Sequence, residues 1–275
     1  MTRMAAIQLA SGSLISANLQ EAEKQISHAV GDGAEWIVLP ENFGMIGARQ
    51  EDVIEFREQL GAGPLQDFLA EQSAKHRINI IGGTLPLQSS DDGKYRNSLL
   101  VYNSRGENIA RYDKIHLFDV TLLENNKSFS ESDIIEAGDE AVVVEVDGIK
   151  LGLAICYDLR FPELFRLLLN KGAEVIVLPA AFTAETGKAH WHALLKARAI
   201  ENLCFIVASA QGGFHVNGCE TFGHSMIVDP WGKVLDEISS GSGFAIADLN
   251  MQQQQQIRER FPSISHRKFF VNVEG

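Results

Sequence analysis

The stretch Leu151-Gly-Leu-Ala-Ile-Cys156-Tyr-Asp-Leu-Arg-Phe-Pro-Glu163 decides how this chain is to be read. Its first half is an apolar run of strand character, and its second half is a polar turn. Pro162, favoured at a first helical position, then opens a helix that runs to Asn170. Upstream, Ala141–Val146 and Ile149–Ile155 pair as a hairpin across Asp147-Gly148, a strong two-residue turn signal. Downstream, Val175–Leu178 is another apolar strand. Cys156 therefore stands where a buried strand meets an open turn, a position suited to a nucleophile.

Two other segments end in the same way. Trp36-Ile-Val-Leu-Pro40 delivers Glu41, and Ile109-Ala-Arg-Tyr-Asp113 delivers Lys114. A thiol attacks only as thiolate, so it needs a base or a neighbouring cation. A glutamate at the end of an apolar strand can act as general base when partly buried. A lysine among apolar and aromatic neighbours can supply fixed charge for an oxyanion. Together the three predict an amide-hydrolysing centre. Taken singly, each has an ordinary explanation: a buried cysteine, a solvated strand-end acid, a solvated lysine. Glu131, in Phe129-Ser-Glu-Ser132, is a fourth candidate that alone reads as a loop acid.

The rest of the chain supplies the frame. Met4–Leu9 reads as a strand. Asn18–Val30 places Leu19, Ala22, Ile26, Ala29 and Val30 at helical spacing, and Gly31 and Gly33 end it. With Trp36–Leu39 this makes a β-α-β unit. A second helix starts at Gly63-Pro64. Ile78–Leu85 reads as one strand containing Gly82 and Gly83, glycines that signal a close backbone approach or a bulge. Tyr95–Tyr102 and Ile109–Tyr112 pair across Asn103-Ser-Arg-Gly106. A long helix over 185–202 follows, then strands at 204–209, 225–229 and 244–249, and a glutamine-rich helix near 252–256. With neither linker nor repeat, this predicts one α/β domain over residues 1–275.

Composition narrows the function. The chain has 275 residues, 45% hydrophobic and 22% charged, with a formal net charge of −12. Such an acidic chain is a poor match for a nucleic-acid backbone or an anionic membrane. No run approaches the ~20 apolar residues of a membrane span. Three cysteines, Cys156, Cys204 and Cys219, fit free thiols in a reducing compartment better than a disulfide frame. A cytoplasmic location is expected. His190 and His192 stand two apart on a helix and face different ways. His116, His215, His224 and His266 show no ligand spacing, so neither metal nor cofactor is expected.

Leu39-Pro-Glu41, Tyr112-Asp-Lys-Ile-His-Leu-Phe-Asp119 and Cys156-Tyr-Asp-Leu-Arg-Phe-Pro-Glu163 resemble the three signatures of the nitrilase superfamily of carbon–nitrogen hydrolases. The segments from Pro179 to Gly187, His190-Trp191, Leu195 to Asn202, Ala208 to Gln211, Gly223 to Gly232 and Phe261 to Arg267 are similar to its branch of deaminated glutathione amidases. The resemblance implies a four-layer α-β-β-α sandwich that pairs face to face as a homodimer. It implies Cys156 as nucleophile, Glu41 as base, Lys114 and the Tyr157 N–H at the oxyanion, and Glu131 as a positioning group. Arg160 is the residue expected to bind a carboxylate of an anionic amide, the alternative being a salt bridge to Glu163. The implied substrate is deaminated glutathione; the alternatives are an ω-amidase acting on monoamides like α-ketoglutaramate, or a catalytically silent scaffold. One departure stands out: Thr121–Ser128 replaces a proline- and glycine-bearing loop beside the pocket, which bears on substrate choice.

Overall fold

The computed structural model describes residues 1–122 and 127–269. In chain order the strands are β1 (Thr2–Gln8), β2 (Trp36–Val38), β3 (Asn79–Ile81), β4 (Leu85–Gln88), β5 (Tyr95–Tyr102), β6 (Asn108–Asp113), β7 (Asp119–Thr121), β8 (Ser128–Ser130), β9 (Val143–Val146), β10 (Ile149–Leu153), β11 (Val175–Ala180), β12 (Phe205–Ala210), β13 (Gly212–Phe214), β14 (Glu220–Phe222), β15 (Ser225–Val228), β16 (Val234–Ile238) and β17 (Gly243–Leu249). The helices are α1 (Ile15–Gly31), α2 (Pro64–His76), α3 (Pro162–Asn170), α4 (Ala184–Asn202) and α5 (Met251–Arg260).

Two mixed sheets dominate. The first runs β17-β1-β2-β3-β5-β4, with β6 on β5; the second runs β16-β15-β12-β11-β10-β9. The β1-β2-β3 and β10-β11-β12 cores are parallel, and antiparallel strands flank them. The central strands β2, β3, β11 and β12 are buried along their whole length and almost wholly apolar, as strands covered on both faces must be. Along β1, Met4 and Ala6 face the second sheet, while Ala5 and Ile7 face α1 and α2. Trp36 and Val38 alternate with Ile37 in the same way on β2. The inner layer joins Met4, Trp36, Val38, Leu99 and Val101 to Leu151, Leu153, Val177 and Val207. Ala22, Ile26, Leu65 and Leu69 of α1 and α2 cover the outside of the first sheet. Phe165, Leu168, Trp191 and Leu195 of α3 and α4 cover the second. The order of layers is the expected α-β-β-α.

The expected single strand over Ile78–Leu85 is two strands, β3 and β4, broken at Gly82-Gly83-Thr84. Gly83 has φ +56°, and a Cβ there would lie 2.2 Å from the Pro40 carbonyl. The glycine therefore lets this loop pass directly under the end of β2. The hairpins β7-β8 and β13-β14 and the edge strand β16 were not anticipated.

Candidate active site

Glu41 and Lys114 both leave the first sheet, Glu41 just past β2 and Lys114 just past β6; Cys156 leaves the second, just past β10. The structure brings all three together with Glu131. Glu41 is 1% exposed and Lys114 0%, and Cys156 is buried. Lys114 Nζ lies 2.9 Å from Glu41 Oε1 and 2.8 Å from Glu131 Oε2. Burial alone would lower the Lys114 pKa. The charges of Glu131 and Glu41 outweigh it and hold the group well above its ordinary value, as ammonium.

Each carboxylate is fixed from several sides. Asn97 Nδ2 donates to Glu41 Oε1 at 3.0 Å. The Gln211 side chain holds the Glu41 backbone carbonyl at 3.0 Å, and Thr84 Oγ1 accepts from the next backbone N–H at 2.9 Å. Glu131 Oε2 accepts the Phe118 N–H at 2.7 Å. Burial raises the Glu131 pKa, Lys114 opposes the rise and Glu41 adds to it. The Lys114 backbone is tied to Asn97 O at 3.0 Å and to Gly138 N at 2.8 Å. A buried charge is tolerated only when it is paired and hydrogen-bonded in this way.

Cys156 opens a short 3-10 turn, Cys156–Arg160, with φ +46°. A left-handed cysteine costs about 1 kcal/mol or more and persists only where its surroundings impose it. Asp158 imposes it here. This carboxylate is fully buried and accepts from Ile155 N at 2.8 Å, Tyr112 OH at 2.7 Å and His116 N at 3.2 Å, with His116 Nδ1 at 2.7 Å. It thereby ties the thiol turn to the Lys114 segment. The Cys156 thiol is pushed well up, first by burial and then by the Glu41 charge; Lys114 and the Ala181 backbone N–H oppose this. A neighbouring base is therefore needed to take the proton at neutral pH.

Glu41, Glu131, Cys156, Tyr157 and Arg160 all line one pocket. Met45, Phe118, Phe129, Ile134 and Phe182 form much of its apolar wall, and Thr183, Thr186, Asn217, Cys219 and Thr221 add polar groups. The Arg160 guanidinium lies 5.1 Å from the Phe182 ring centre and 5.7 Å from that of Tyr157. Its Nη1 meets His190 Nδ1 at 3.0 Å. Among the described residues, no carboxylate pairs with Arg160; the salt bridge to Glu163 does not form. Asn97, Asp158, Gln211 and Gly83 were not anticipated as site residues. A sequence signal existed for Asn97, a polar residue inside an apolar strand. Part of the divergent 121–128 segment, residues 123–126, lies outside the described residues.

An α-β-β-α sandwich that gathers a thiol, an ammonium and two carboxylates between its sheets defines a nitrilase-like hydrolase. Comparison with known proteins makes this specific. A family model for carbon-nitrogen hydrolases matches residues 3–259. Deaminated glutathione amidase of Synechocystis is 41% identical over 267 residues, 96% of this chain and 97% of that protein. The protein of the same description from Yersinia enterocolitica is 38% identical over 98% of this chain and 94% of its own length. The crystal structure of Saccharomyces cerevisiae Nit3, described as a member of branch 10 of the nitrilase superfamily, superposes with a TM-score of 0.87 at 30% identity, covering 98% of this chain and 97% of that one. The Caenorhabditis elegans NitFhit structure gives 0.88 at 36% identity over 97% of this chain, which spans 65% of that longer protein. The chain belongs to the carbon-nitrogen hydrolase family and is an enzyme acting on amides.

Proposed function

We propose that the protein hydrolyses deaminated glutathione to 2-oxoglutarate and cysteinylglycine through a Cys156 thioester. The buried Glu41–Lys114–Glu131 cluster beside Cys156, in a pocket that also presents Arg160, carries this reading. Glu41 takes the thiol proton as sulfur attacks the amide carbonyl. Lys114 and the Tyr157 backbone N–H stabilise the oxyanion, an interaction worth ~10²–10³ in rate per donor. Glu131 holds Lys114 in place. Protonated Glu41 delivers its proton to the departing amine. Water then attacks the thioester, giving a proton to Glu41; collapse frees the acid, and that proton returns to the thiolate.

The substrate assignment draws on the relatives described as deaminated glutathione amidases and on Arg160, a pocket cation with no carboxylate partner among the described residues. An anionic amide supplies that partner, and guanidinium binds carboxylate bidentately. The same proposal takes residues 1–275 as one domain, working in the cytoplasm as a homodimer. Its three cysteines are unpaired, and among the described residues no helix is long and apolar enough to cross a membrane.

The test is product analysis with deaminated glutathione and α-ketoglutaramate side by side, using wild-type protein and Cys156→Ala. Cys156-dependent release of cysteinylglycine, with the higher kcat/KM for the tripeptide analogue, supports the proposal. Higher kcat/KM for α-ketoglutaramate moves the protein to the ω-amidase reading. Substantial turnover by Cys156→Ala removes the covalent route.

A further inference from the structure

Outside the pocket, the fold assembles two histidines and a glutamate that lie far apart in sequence. His192 is on α4, His224 directly precedes β15 and Glu237 is on β16. His192 Nε2 lies 3.0 Å from Glu237 Oε1, and His224 Nδ1 lies 2.5 Å from the same oxygen. All three donor atoms fall within 4.8 Å of one another. None of the three residues lines the catalytic pocket.

The surroundings fix this arrangement independently of the carboxylate. Trp191, the neighbour of His192, donates its Nε1–H to the His224 carbonyl at 2.8 Å. His224 is held at φ +56°, a conformation that a non-glycine residue adopts only under constraint. Phe222 stacks on the His224 ring at 4.2 Å, and the two imidazoles meet at 69°. Both imidazoles therefore turn a ring nitrogen toward one point between helix and sheet.

We propose that His192, His224 and Glu237 form a zinc site. Two imidazole nitrogens and a carboxylate oxygen are a common zinc donor set, and they leave a fourth position for water. With zinc–ligand bonds of about 2.0–2.2 Å, tetrahedral ligands stand roughly 3.3 Å apart. The present separations of 3.0 and 2.5 Å are those of direct hydrogen bonds to Glu237, which the ion replaces as the three side chains spread around it. The three side chains are 38%, 26% and 26% exposed, so the ion has a path from solvent. The ion joins α4 to the edge strand β16. It thus braces the helix whose N-terminal end contributes Thr183 and Thr186 to the pocket wall. The ion stands outside the pocket and leaves the chemistry at Cys156 metal-free.

Untagged full-length protein, stripped with chelator, is dialysed against zinc, and bound metal and melting temperature are measured. About one zinc per chain and a higher melting temperature are expected, because an ion that binds only the folded state stabilises it. His192→Gln and Glu237→Gln should each lose the bound zinc and the melting shift. Their metal-free melting temperatures should stay near that of stripped wild type, separating ligand loss from misfolding. Cobalt substitution should give d–d bands without the thiolate charge-transfer absorption of a cysteine site. Absence of bound zinc, equal zinc in wild type and both variants, or a thiolate band would overturn the proposal.

Discussion

Replacing Glu41 by glutamine separates two effects that the geometry assigns to one carboxylate. Burial is the first cause of the raised Cys156 pKa, and the Glu41 charge is the second. Removing that charge leaves Lys114 and the Ala181 N–H still favouring thiolate. The thiol should therefore ionise more readily in Glu41→Gln than in wild type. Turnover should nevertheless collapse, because no group remains to carry the proton from sulfur to the leaving amine. General-base and general-acid transfer is worth ~10²–10⁴ in rate, or about 3–5 kcal/mol of barrier. The fold should tolerate the change. Lys114 keeps its 2.8 Å contact with Glu131, and an amide oxygen can still accept the Asn97 bond. The assay pairs kcat/KM with the pH dependence of iodoacetamide inactivation. The expected result is a fall of ~10²–10⁴ in kcat/KM together with an alkylation profile displaced to lower pH. If the variant kept wild-type kcat/KM, Glu41 would not be the base; if its alkylation profile moved to higher pH, the electrostatic account of the thiol would be wrong.

Lys114→Met should be the more damaging change to stability. It leaves Glu41 and Glu131 without their cation, at a cost of about 3–5 kcal/mol at pH 7, and the deficit should shrink toward pH 5 as Glu131, whose pKa burial already raises and Lys114 no longer lowers, takes up a proton; a thermal melt at the two pH values checks this. Arg160→Ala should raise KM for an anionic amide far more than for a neutral one while sparing kcat; an unchanged KM for the anion would remove Arg160 from substrate binding. Gly83→Ala places a Cβ 2.2 Å from the Pro40 carbonyl at φ +56°. It should destabilise by about 1–3 kcal/mol and lower kcat by displacing Glu41, read from denaturant unfolding and initial rates. Glu58 is buried and accepts from Leu65 N at 2.7 Å and from Gln66 Nε2 at 3.0 Å, and burial raises its pKa. A raised carboxyl stabilises the fold below its ordinary range and loses that contribution as pH rises through the raised value. Wild type should thus gain on Glu58→Gln, in melting temperature, as pH falls from 7 to 4.5; a constant difference would contradict the assignment.

That Glu41, Lys114 and Cys156 could meet was legible because each closely follows a run of strand character. Trp36–Leu39, Ile109–Tyr112 and Leu151–Ile155 read as strands, and Glu41, Lys114 and Cys156 each stand one or two residues beyond the end of one of them. The helices were equally plain, since α1 and α3 carry apolar residues at spacings of three and four. Other features had weaker local signals. Strand β16 is half-buried throughout and includes Asp236 and Glu237, so it lacks clean alternation. The break between β3 and β4 arises from contact with Pro40, and a glycine pair alone does not say whether it marks a bulge or a strand end. Asp158 looks like an ordinary turn acid until Tyr112 and His116 arrive from 46 and 42 residues away. The His192–His224–Glu237 grouping is hidden for the same reason. Spacing reveals ligands that share a helix or loop, whereas these come from a helix, a loop and a sheet edge.

The placement of the centre explains why so much of it depends on distant residues. Glu41 and Lys114 ride on the first sheet and Cys156 on the second. Their separation is therefore set by how the two sheets pack, through Trp36, Val38 and Leu99 against Leu151, Leu153 and Val177. Close-packed interiors transmit small volume changes rather than absorbing them. Asp158 adds a polar tie across the same boundary, because it holds the thiol turn of the second sheet to Tyr112 and His116 of the first. A loop-borne centre would adjust locally to a changed substrate. This one can hold a buried ammonium, two carboxylates and a protonated thiol in register only while both sheets stay fixed. Substrate variation is thus left to the pocket wall, where Arg160, Phe182, Thr186 and the β13–β14 hairpin stand clear of the charge cluster.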